Sequence, residues 1–78
     1  MKVKCIIIDD EPLAIKVIQN HLKEFQNMDL IATFNTPIAA LPIIENEKID
    51  VIFLDINMPK MSGLDFIRTL TIKPHIVI

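Results

Sequence analysis

The chain contains no tryptophan and no tyrosine, and four phenylalanines are its whole aromatic complement. Its core must therefore be aliphatic, assembled from Ile, Leu and Val at strand and helix positions. It holds a single cysteine, which cannot close a disulfide within the chain. Cys5 sits inside an apolar run, where a thiol serves as a small buried hydrophobe, and a reducing, cytoplasmic setting is the expectation. Long apolar runs are missing too. After Met1-Lys2-Val3-Lys4 the run lasts only from Cys5 to Ile8 before two aspartates interrupt it, so neither a signal peptide nor a membrane span is expected. No basic cluster exists either. Eight Lys plus Arg against ten Asp plus Glu leave a formal charge of −2, and the basic residues are scattered, so this segment is not expected to bind nucleic acid. His21 and His75 have no Cys or His at ligand spacing and read as solvated or packed side chains. Low-complexity segments, linkers and detailed repeats are also lacking.

What is present is a short, apolar chain. Its 78 residues amount to one domain or less, and the hydrophobic content of 51% excludes a disordered polar tail. A chain of this size buries only about 60% of the surface that its unfolded form exposes, so a generous apolar fraction is needed for stability.

The pattern alternates between strand and helix. Val3 to Ile8 is a β-branched apolar run bounded by acids, which suits a strand buried on both faces of a parallel sheet. Pro12 can occupy the first turn of a helix, along which Leu13, Ala14, Val17, Ile18, Leu22 and Phe25 recur at helical spacing. Asp29 to Phe34 reads as a second strand, and Thr36-Pro37 supplies an N-cap followed by a first-turn proline. The second helix carries Pro42 too deep to be a start signal, which predicts a kinked or shortened helix ending near Asn46. Asp50 to Leu54 repeats the strand signature and stops at Asp55. Ser62 then caps a helix through Leu64, Ile67 and Leu70 to about Thr71, and Pro74 precedes a fourth strand, His75 to Ile78. Alternation with short connections implies a doubly wound parallel sheet with right-handed crossovers and helices on both faces. A stop at the fourth strand reads as the N-terminal portion, residues 1–78, of a longer domain.

Asp9 and Asp10 end the first strand and Asp55 ends the third, so all three carboxylates should emerge at one edge of the sheet. In the flavodoxin-like order, strands one and three are neighbours across the switch point where ligands bind. Two like charges about 4 Å apart repel by roughly 1 kcal/mol in water and several-fold more near a protein interior, so such a cluster needs a counter-charge. Mg²⁺, which takes oxygen ligands and keeps several waters, matches this spare acidic set better than a transition metal. Taken alone, Asp9, Asp10 and Glu11 also fit a turn whose acids complement the dipole of the following helix.

The balance changes with Asp55-Ile56-Asn57-Met58-Pro59-Lys60-Met61-Ser62-Gly63, which follows an apolar strand just as Asp9-Asp10 does. Together with Ile6-Ile7-Ile8-Asp9-Asp10-Glu11-Pro12, the segment Asp50 to Leu70 closely resembles the receiver domain of bacterial two-component response regulators. The continuation Pro12-Leu13-Ala14 is similar to the LytTR class. The resemblance covers essentially the whole chain. It implies a flavodoxin-like sheet of strand order 2-1-3-4, Asp55 as phosphoacceptor, and Mg²⁺ held by Asp55, by Asp10 directly, by Asp9 largely through water, and by the backbone carbonyl of Asn57. It implies a sensor histidine kinase as partner and an output domain, DNA-binding for transcription regulation, beyond this segment. A carboxylate nucleophile beside a metal that offsets charge on the transferring oxygens agrees with that chemistry. Pro59 and Gly63 read as loop-shaping residues, and Met58 and Met61 as packing or loop contacts.

The sequence departs from the family at its end. Receivers carry a Ser or Thr beyond the fourth strand and a Lys beyond the fifth; both positions fall outside this sequence, and Lys60 and Lys73 are not placed to substitute. Two other functions compete with the phosphoacceptor. A Mg²⁺-dependent aspartyl-phosphate phosphohydrolase would want an acid where Asn57 stands and a substrate-covering cap. An unphosphorylated interaction module is the other. The fourth strand's edge and the apolar face of the first helix further suggest a homo-oligomer.

Overall fold

The computed structural model describes residues 2–57, 63–70 and 74–78. Four parallel strands, β1 (Val3–Ile8), β2 (Met28–Phe34), β3 (Val51–Leu54) and β4 (His75–Val77), form one sheet in the order β2-β1-β3-β4. Helices α1 (Pro12–Leu22), α2 (Pro37–Asn46) and α3 (Gly63–Thr69) connect them. The expected strand order and the strand–helix alternation are both found.

β1 is an inner strand by virtue of its side chains. Cys5, Ile6, Ile7 and Ile8 are fully buried, and they alternate between two cores. Ile6 and Ile8 join Ala40, Ile44, Ile49, Ile52, Leu54, Phe66 and Leu70 beneath α2 and α3. Cys5 and Ile7 join Leu22, with Ile15, Ile18, Val51 and Phe53, beneath α1. Full burial of one isoleucine side chain contributes roughly 1.5–3 kcal/mol, so the three of β1 weigh heavily in a domain whose net stability is about 5–15 kcal/mol.

β2 changes faces in mid-strand. Cys5 pairs with Leu30 but Ile6 pairs with Ala32, so Ile31 is an extra residue in the ladder. Met28 and Leu30 thus pack under α1, whereas Ile31 and Phe34 pack on the α2 and α3 side. A regular alternation would have kept Leu30 and Phe34 on one face.

The helices follow their end signals, with one difference on α1. Thr36 caps α2 as expected, its Oγ1 accepting the Ala39 N–H at 3.2 Å. α2 runs through Pro42 and ends at Asn46, the end expected for it. Pro42 and Ile38, whose carbonyl a proline at position 42 leaves without its helix donor, are both exposed. On α1, the inward positions are Ile15, Ile18 and Leu22, while Leu13 and Val17 are exposed and Phe25 lies beyond the helix, also exposed. The apolar arc of α1 is wider than the strip that touches the sheet. Ser62, Thr71, Lys60, Lys73, Pro59, Met58 and Met61 lie outside the described residues.

Candidate functional site

The backbone ladder runs one residue past the strand ends and fixes the acids. The Asp9 N–H donates to the Phe34 carbonyl and the Asp55 N–H to the Ile8 carbonyl, each at 3.0 Å. β1 and β3 are adjacent and parallel, with Ile8 opposite Leu54, so the next residues, Asp9 and Asp55, leave the sheet side by side. Asp10 follows in the turn before α1.

Each of Asp9, Asp10 and Asp55 offers a carboxylate oxygen, and these oxygens lie within 4.8 Å of one another. Asp9 and Asp55 are half-buried. Among the described residues, no lysine or arginine pairs with any of the three; the ion pair found, Arg68 with Asp65 at 3.9 Å, lies on the exposed side of α3. An all-oxygen donor set of three carboxylates, with no basic partner among the described residues, suits a hard divalent cation.

Two backbone amides orient the carboxylates. The Glu11 N–H donates to Asp9 Oδ1 at 2.9 Å, and the Asn57 N–H to Asp55 Oδ1 at 3.0 Å. Each bond spans two residues, the reach of a short acidic side chain over its own turn. Such turns are legible in principle from an Asp at a strand end, but the sequence reading did not single them out. It also missed the apolar wall beside the acids. Asp9, Asp55 and Asn57 open into a cleft of about 500 Å³ whose other walls include Ile18, Phe53, Ile56, Val77 and Ile78.

The remaining polar candidates lie elsewhere. His21 Nδ1 is 2.9 Å from the Val17 carbonyl on the exposed side of α1. His75 opens β4 opposite Val51, at the end of the sheet away from the acids. Cys5 is fully buried, its thiol 3.7 Å from the Asp29 carbonyl. Burial, and secondly the charge of Asp29, pushes that thiol up from its ordinary value.

A four-stranded parallel sheet, covered on both faces by helices and carrying acids at the carboxyl ends of its two central strands, defines a doubly wound α/β module with its site at the sheet's switch point. The chain belongs to the response regulator receiver domain family, whose pattern matches residues 5–78. An uncharacterized response regulatory protein of Yersinia pestis is 36% identical over 76 residues, covering 95% of this chain and 32% of that protein. The transcriptional regulatory protein BtsR of Escherichia coli K12 is 32% identical over 77 residues, covering 96% of this chain and 32% of that protein. A protein-glutamate methylesterase/protein-glutamine glutaminase of Thiobacillus denitrificans is 37% identical over 70 residues, covering 90% of this chain and 20% of that protein. The chain thus spans between a fifth and a third of these relatives. Among solved structures, the response regulatory domain of protein MrkE from Klebsiella pneumoniae superposes with a TM-score of 0.80 at 31% identity, over 95% of this chain and 63% of that one. The signal receiver domain of NarL from Mycobacterium tuberculosis gives a TM-score of 0.83 at 26% identity, over 96% and 63% of the two chains. The chain is therefore a regulatory module of the two-component kind.

Proposed function

We propose that this chain receives a phosphoryl group on Asp55 from a sensor histidine kinase. The observation that carries the reading is the convergence of Asp55 with Asp9 and Asp10 at the ends of β3 and β1. With Asp55 Oδ1 engaged by the Asn57 N–H, the carboxylate is held in one orientation at the cleft mouth. An oxygen of Asp55 attacks phosphorus, the P–N bond of the kinase phosphohistidine breaks, and its electron pair stays on the imidazole. Asp9 and Asp10, with Asp55 and the Asn57 backbone carbonyl, would hold Mg²⁺. When bound, that ion offsets the charge of the acids and of the transferring oxygens.

The relatives named as regulatory proteins support an output step elsewhere in the whole protein, of which transcription control by a DNA-binding domain, as in the LytTR class, is the reading we favour. The buried, unpaired Cys5 accords with a cytoplasmic setting. The direct test is treatment with a small acyl phosphate and Mg²⁺ followed by mass spectrometry. Slow gain of one labile phosphoryl group is expected, located on Asp55 and lost in Asp55→Ala. Equal labelling of Asp55→Ala would overturn the assignment.

A further inference from the structure

We draw no further inference here: the strongest candidate, the apolar groove between α1 and the β3–β4 half of the sheet, floored by Phe53 and flanked by Ile18, Phe25 and Val77, carries nothing because it is an unpartnered face and nothing in the structure shows what covers it.

Discussion

Asp9 and Asp55 each have one carboxylate oxygen bonded to a backbone amide two residues on, so neither side chain needs to find its direction when a cation arrives. Asp10 has no such bond among the described residues and is the acid that the ion itself must orient. Titration with Mg²⁺, followed by amide NMR, should therefore move Asp10 and Asn57 first. Asp10→Asn should weaken binding by at least about tenfold, since even residues behind a metal's direct ligands matter on that scale. Undiminished affinity in that variant, or shifts scattered over the surface, would show that the acids hold no ion. Cys5 allows a separate test, because burial and Asp29 raise its thiol above its ordinary value. The folded chain then holds the thiol proton more tightly than the unfolded chain. That contribution is whole below the unfolded value of about 8.5 and is lost as pH rises through the folded value. Above about pH 8.5 the urea midpoint of the wild type should fall more steeply with pH than that of Cys5→Ala. Parallel pH profiles would mean that the thiol titrates alike in both states.

Among the elements, α2 is the one whose sequence works against it. Pro42 removes a helix hydrogen bond at an exposed position, at a cost of about 3 kcal/mol, and returns about 0.4–1 kcal/mol by stiffening the unfolded chain. Pro42→Ala should accordingly raise stability by roughly 2 kcal/mol, read as a higher urea midpoint with an unchanged slope. A lower midpoint would mean that the proline ring packs usefully where it stands. The helix persists in spite of Pro42 because Ala40 and Ile44 are anchored in the core and Thr36 caps its start. Tertiary burial of that kind is what local propensity cannot register. β1 was legible to the residue, since an uninterrupted run ending in two acids has only one way to sit in a parallel sheet. The placement of Asp9, Asp10 and Asp55 at one edge followed from the same runs. β2 was legible as a strand but not in its register, because one surplus residue at Ile31 leaves no compositional trace. For α1, Leu13, Val17 and Phe25 share the apolar spacing of the core positions, and only the width of the sheet beneath decides which of them are covered.

At the scale of the whole molecule the two faces of the sheet are unequal. α2 and α3 lie over one and α1 over the other, and among the described residues β4 pairs with β3 alone, with its Val77 and the following Ile78 exposed. A strand edge with free N–H and C=O groups next to apolar side chains is a template for another strand. For the 78-residue segment taken by itself we propose a homodimer or larger assembly, which two-fold pairing of β4 strands would close. Size exclusion with light scattering measures this directly. A monomer at high concentration, with freely exchanging amides at Ile76 and Ile78, would show that the edge recruits nothing. β1 is the opposite case, flanked by strands on both edges and by side chains on both faces, with every residue from Cys5 to Ile8 sealed from water. A segment so enclosed has no private route to opening, so its amides should exchange only when the entire fold is lost. Asp9 and Asp10 hang from its end. The acidic pocket is thus tethered to the last part of the molecule to let go, and a fluctuation that loosens β4 or α3 can come and go while the geometry at β1 stays in place.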